Sequence, residues 1–253
     1  MGSFGITITN YTFINNSADV AGGAIYVSPT SHNCSIIDCN FEDNYVTNKT
    51  SGWSGGESFS WIAWDGTPMT FSADYSSEPS KISTFDMQLY ETKYYYNDAE
   101  DLDTLLGTGG AMTILASNAT ITNTKFTGNS ARLGGGIYVG ANAGNTHINN
   151  TVWRANVASQ RGGAINLHAS AVHIDEGKFY DNIAINGSAV YVGGVGTENK
   201  IHESIFDGNI ATGYGAGIYW IAHEGEIINS KFIRNAAEYG GGIYLNGHSG
   251  NDI

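Results

Sequence analysis

One stretch of this sequence gathers the side chains that recognition chemistry favours. Trp53, Trp61, Trp64, Tyr94, Tyr95 and Tyr96 supply large rigid aromatic rings, and the carboxylates Asp98, Glu100, Asp101 and Asp103 follow at once. Trp and Tyr are the residue types in which binding energy concentrates, so this set suits a contact surface for sugar hydroxyls, a cationic partner or a Ca²⁺ ion. For Ca²⁺, the run Asp98-Ala99-Glu100-Asp101-Leu102-Asp103 lacks the Gly-centred 12-residue loop of an EF-hand and reads better as a solvated acidic turn. No other cofactor is expected. The competing reading of the aromatics is a small module's own core. Three consecutive Tyr cannot all face inward, because successive side chains of a strand point to opposite faces.

Catalytic alternatives are thinner. Glycoside hydrolysis needs two carboxylates at a fixed separation, and Asp181, Asp207 and Arg154 are the candidates outside the aromatic stretch. The two carboxylates sit at differing offsets from Phe179 and Phe206, Arg154 occupies the offset of Asp207 two coils earlier, and all three read as exposed turn residues. His223 and His248 share an offset from Ile218 and Ile243 that stacks them on one edge, but two imidazoles beside Glu224 make a poor metal site. Cys34 and Cys39 are too few for a disulfide scaffold. They either bridge across a tight loop or stay as thiols, with Cys39 buried and inert.

What must position these residues is a repeat. Seven times an aromatic precedes an Asn by three residues: Phe13/Asn16, Phe41/Asn44, Phe126/Asn129, Trp153/Asn156, Phe179/Asn182, Phe206/Asn209 and Phe232/Asn235. An Ile stands five residues before each aromatic, from Ile8 to Ile227, and a small residue five after it. A Gly-rich tetrad ending in an aliphatic closes each unit, as in Gly22-Gly23-Ala24-Ile25 and Gly162-Gly163-Ala164-Ile165. From Met112 onward the aliphatics are spaced 25, 28, 25, 28 and 25 residues apart, a double period marked by Lys125, Lys178 and Lys231.

No unit offers a 3.6-residue periodicity, whereas short β-branched segments punctuated by Gly and Asn are strands and turns. Units of this length match coils of a parallel β-helix with about three strands each. The spacing therefore predicts an all-β solenoid of about seven coils, rising about 34 Å at roughly 4.8 Å per coil. Ile, aromatic and aliphatic columns should form interior stacks and the Asn column a hydrogen-bonded ladder. The Gly tetrad has two candidate causes, a backbone turn through positive φ or the close approach of coils.

In the second unit the distance from aromatic to aliphatic is 71 residues, where the others need 11 or 12. The organisation expected is thus coils over 1–46, an inserted β-rich module over 47–108, and coils of the same solenoid over 109–253. Residues 46–107 hold 11 of the 30 aromatics and ten acids against three Lys. Within them, Phe59 to Trp64, Asp65-Gly66 and Met69 to Phe71 read as a hairpin with a tight turn, and 82–96 as further strands.

With 24 Asp and Glu against 11 Lys and Arg, the formal charge of -13 repels phosphate backbones and excludes nucleic acid as a partner. No apolar run is long enough for a membrane helix, so direct membrane insertion is not expected and any export signal would lie elsewhere. The low charged fraction of 14% and the N-x-S/T sequons, Asn10, Asn48 and Asn186 among them, suit a secreted protein.

The paired Gly-Gly-Ala-Ile and Phe-x-x-Asn signatures resemble the polymorphic outer-membrane protein repeat of chlamydial autotransporters. The wording of Ile36-Ile37-Asp38-Cys39-Asn40-Phe41 is also similar to adhesin-like surface proteins of methanogens. The likeness covers 6–46 and 108–246. It implies a right-handed parallel β-helix on an extracellular adhesin, and no catalytic residue carries over, because the repeat residues are architectural. The expected function is a cell-surface adhesin or passenger fragment that binds a cell-surface protein or glycan through the inserted module. A polysaccharide-active lyase, hydrolase or epimerase is the alternative, and a cell-envelope or filament subunit the second. Bare coil ends leave room for end-to-end self-association.

Overall fold

The structure is a computed structural model that describes residues 5–29, 31, 33–47, 57–62, 68–73, 107–193 and 196–246. Its coils turn where the chain adopts left-handed backbone. Coil 4 does so at Asn145, Asn150, Ala155 and Gly162, with φ of 57°, 44°, 52° and 67°. Between those corners lie four short strands: His147–Asn149, Val152–Arg154, Val157–Arg161 and Ile165–Leu167. Asn, Asp and Gly tolerate positive φ best, so four such corners per coil account for much of the Asn and Gly in the sequence.

Coils 1 to 6 thus have four strands each rather than about three, and coil 7 has three, with an isolated bridge at Ala236 in place of the fourth. The additional one can be as short as Ser17–Ala18 or Ile183–Ala184, and two residues carry no alternation that a sequence pattern could register. Corresponding strands stack in parallel into three seven-stranded sheets and one of six. The registers follow the predicted columns: Ile8↔Ile36, Ile36↔Ile121 and onward to Ile201↔Ile227, and likewise Phe13↔Phe41 through Phe206↔Phe232.

Parallel register places equivalent side chains one above another, and the interior is built from those stacks. Aromatic rings from Phe13 to Phe232 stack face to face at 4.6–5.8 Å with interplanar angles of 3–7°. Ile, aromatic and aliphatic stacks converge in one core in which Ile121, Phe126, Ile137, Ile165, Phe179 and Ile218 are fully buried.

Both causes proposed for the Gly tetrad operate, at successive positions. Gly162 takes positive φ, whereas a Cβ on Gly163 would collide with the carbonyl oxygens of Ser188 and Ile183. Trp153, the largest member of the aromatic stack, lies where coil 3 has Gly136 instead of the usual Ala, and a Cβ there would stand 3.1 Å from the Trp153 Cδ1.

The chain divides into two compact units, Met1–Asn48 with Leu105–Ile253, and Lys49–Thr104. Within the second, Glu57–Ile62 pairs antiparallel with Pro68–Ala73, bringing Phe59 opposite Phe71 and Trp61 opposite Met69. This is the predicted hairpin. Its Asp65-Gly66 turn and the strands expected over 82–96 lie outside the described residues.

Candidate functional site

Of the residues expected to form the contact surface, Trp61 lies in the first strand of the hairpin. Trp53, Trp64, Tyr94, Tyr95, Tyr96, Asp98, Glu100, Asp101 and Asp103 lie outside the described residues, as does His248. The remaining candidates fall on the coils, where their geometry is defined.

Asn side chains run along one corner as a continuous amide ladder. From Asn16 to Asn235, each Nδ2 donates to the Oδ1 of the next coil at 2.8–3.0 Å. The same Oδ1 accepts the main-chain N–H of the preceding Asn, and the second Nδ2 hydrogen reaches back to an aromatic residue's carbonyl, as in Asn156 to Phe126 O. Asn44, Asn129, Asn156, Asn182 and Asn209 are fully buried, with every polar hydrogen and the oxygen occupied. A hydroxyl column runs beside it, with Thr124, Thr151, Ser204 and Ser230 each donating to the carbonyl two residues earlier. Cys39 occupies this column and its Sγ donates to Ile37 O at 3.2 Å. Cys34 and Cys39 are both buried thiols, so no disulfide joins them. These columns stabilise the coil and leave no group placed for chemistry.

The trio considered for hydrolysis resolves into ion pairs between coils. Arg154 Nη1 lies 3.1 Å from Asp181 Oδ2 and its guanidinium covers the Tyr180 ring. Arg234 grips Asp207 through two bonds of 2.9 and 2.7 Å, which hold the Asp207 carboxyl below its ordinary range. Each carboxylate faces a guanidinium rather than a cleft. On the isoleucine sheet, His147, His173, Lys200 and Glu226 form one outward row. Burial, with His147 and Lys200 nearby, pushes His173 down. His202 lies 3.6 Å from both Asp175 and Glu226.

A feature missed in the sequence is a tyrosine row on the outer side of the sheet that follows the Gly tetrads. Tyr26, Tyr138, Tyr191, Tyr219 and Tyr244 each come one residue after the ladder aliphatic, so the signal was there to be read. Tyr191, Tyr219 and Tyr244 stack at 5.2 Å, and Tyr214 stacks with Tyr239 at 5.0 Å. In coil 4 Asn166 takes the tyrosine position, and His168 fills the gap, 5.6 Å from Tyr138 and 5.9 Å from Tyr191. Burial, with the nearby Arg161 charge, pushes the His168 pKa down to about 4.

The model of the Chlamydia polymorphic membrane protein repeat matches residues 10–28 and 123–140, segments that run from the aromatic-Asn pair through the Gly tetrad. The probable outer membrane protein PmpG of Chlamydia muridarum is 34% identical over 148 residues, covering 55% of this chain and 14% of that protein. The metabotropic glutamate receptor-like protein R of Dictyostelium discoideum is 32% identical over 145 residues, covering 55% of this chain and 9% of that protein. The chain therefore spans about a tenth of the length of these curated relatives. No solved structure matches it.

Proposed function

We propose that this chain, which carries the polymorphic membrane protein repeat, is a β-helical segment of a cell-surface adhesin whose contacts are made by the module inserted into coil 2. The observation that carries the reading is how completely the recurring residues are used by the architecture. Ile, aromatic and aliphatic columns fill the core, the Asn side chains bond one another, the hydroxyl column bonds main-chain carbonyls, and the Asp181 and Asp207 carboxylates are held by Arg154 and Arg234. A solenoid so occupied supports recognition by what is inserted into it, and insertions in repeat proteins map to the working face. Likeness to an outer membrane protein supports a location at the cell surface.

Replacing residues 47–108 by a short Gly-containing turn tests this directly. The shortened chain is expected to keep its β-rich circular dichroism, because loop entropy changes slowly with length, and to lose binding on a glycan array or to host cells. Within the intact chain, Trp61→Ala or Tyr95→Ala should weaken binding by about 1–3 kcal/mol. Retained binding by a folded deletion variant would move the contact surface onto the coils, with the tyrosine row the first place to look.

A further inference from the structure

The double period of the sequence is written on one outer face. Lys125, Lys178 and Lys231 each open a strand one residue before a stacked ring, so their side chains point away from the core. Lys125 and Lys231 are exposed and Lys178 is half-buried. Parallel register sets them in one row with residues of the intervening coils: Lys125↔Val152, Val152↔Lys178, Lys178↔Ile205 and Ile205↔Lys231. From coil 3 to coil 7 the row therefore alternates a cation with a β-branched apolar side chain. At roughly 4.8 Å per rung, successive lysines stand about 9.6 Å apart.

Duplication of a coil pair does not by itself account for this row. Other outward rows of the same coils change from one double period to the next: Thr127 gives way to Tyr180 and Ile233, and Thr120 to His173 and Glu226. The lysine recurs where packing makes no demand for it. It is also uncommitted, in a chain rich in acid. Arg154, Lys200 and Arg234 are each paired with a carboxylate of an adjoining coil. Among the described residues Lys125, Lys178 and Lys231 form no ion pair, and Lys178 Nζ donates to the neutral Asn150 Oδ1 at 3.3 Å.

We propose that this row binds a linear polysaccharide in which acidic and neutral sugars alternate, laid along the solenoid axis. A sugar of an extended chain advances by close to one rung, so each disaccharide brings one carboxylate to every second rung. There it meets an ammonium group, while Val152 and Ile205 lie under the CH faces of the neutral sugars. Nucleic acid fits poorly, because a strand carries one charge per about 3.4 Å and Glu42 on the same face repels the surplus. At physiological ionic strength charges beyond about 8 Å are largely screened, so a ligand on the row feels the lysines it touches more than the formal charge of -13. This goes beyond the adhesin reading and does not depend on the inserted module.

Hyaluronan oligosaccharides, with one carboxylate per disaccharide, are the probe, and calorimetric titration of the full chain is the measurement. The natural chain is expected to bind them, with affinity that falls as salt rises. Lys125→Gln, Lys178→Gln and Lys231→Gln, checked for fold by circular dichroism, should each weaken binding roughly two- to fivefold. Combined, they should weaken it by the product, because well-separated sites add. A further variant separates spacing from charge. Lys178→Gln with Ile205→Lys keeps the net charge but moves one cation by a rung, and should bind as weakly as Lys178→Gln alone. Polygalacturonate, charged on every sugar, sets carboxylates against Val152 and Ile205 and should bind more weakly than hyaluronan of equal length. Trp61→Ala, which probes the module, should leave hyaluronan affinity unchanged, so the two readings fail separately; a loss there would place the polysaccharide on the module and overturn the row. Absence of hyaluronan binding, or a triple variant that binds as the natural chain does, would overturn the proposal. Full affinity in the shifted variant, or tighter binding of polygalacturonate or single-stranded DNA, would do the same, since charge rather than spacing would then set the choice.

Discussion

Phe126 and Phe13 occupy the same position of the same repeat and stack on the same column, yet Phe126 is fully buried and Phe13 is not. Asn156 is sealed from water while Asn16 is exposed. The difference lies in neighbours alone, since an inner rung has a coil on each side and a terminal rung has one. In a solenoid burial is a property of position in the stack, and stability is close to a sum of nearest-neighbour terms. Substitutions at one repeat position should therefore have effects graded by coil number, largest in the middle.

The largest gradient is expected on the aromatic column. Phe179 lies between Trp153 at 4.6 Å and Phe206 at 4.7 Å and is fully buried, so Phe179→Ala should cost about 3–5 kcal/mol through the cavity it leaves. Phe232 is half-buried and has Phe206 on one side, and Phe232→Ala should cost about 1–2 kcal/mol. Urea denaturation of the two variants side by side checks the ratio. Equal losses would mean that the terminal coil is covered, in solution, as fully as the middle ones.

The second prediction asks whether the gradient extends to the outer face. His168, in a middle coil, is enclosed by Tyr138 and Tyr191 and feels the Arg161 charge, and its pKa of about 4 lies below the unfolded value of 6.5. The folded state thus binds fewer protons than the unfolded state, so stability should fall as pH drops from 6.5 toward 4, by up to roughly 3 kcal/mol in total. The depressed His173 adds in the same direction. Melting temperatures measured across that window should decline for the natural chain and decline distinctly less for His168→Gln. An unchanged slope would show that His168 titrates as an exposed imidazole and that the outer row is not enclosed.

How much of this was legible in the sequence follows the same distinction. The Ile, aromatic, aliphatic and Asn columns could be read because one residue type recurs at a fixed offset in every coil, as the interior of a stack demands. The short strand around Ser17–Ala18 escaped, because two residues have no alternation to show. Gly and Asn were read as punctuation between strands, and the reason for Asn145 and Asn150, a backbone that needs positive φ, became visible in the coil itself. The tyrosine row was overlooked although Tyr138, Tyr191 and Tyr219 recur on schedule, because Thr113 and Asn166 interrupt it and an outer face does not enforce identity. The inserted aromatics and acids belong to no period, so composition was the one guide to them.

The smallest gradient is expected on the Asn column, where it reports hydrogen bonding rather than packing. Asn156→Ala deprives the Asn129 main-chain N–H and Nδ2 of their acceptor and Phe126 O of a donor, all beyond the reach of water. Buried groups left unsatisfied should cost about 1–3 kcal/mol. Asn16→Ala removes the Nδ2 donor to Asn44 Oδ1 but keeps the main-chain N–H that also reaches it, at an exposed rung where water can replace the lost bond, and should cost within about 0.5 kcal/mol. Amide hydrogen exchange separates the two. In the Asn156 variant the Asn129 N–H should exchange faster while the outermost amides keep their rates, and in the Asn16 variant the Asn44 and Asn129 amides should stay protected. Were Asn16→Ala as costly as Asn156→Ala, its rung would have to be sealed by a further layer. The comparison between middle and terminal coils would then fail at that end.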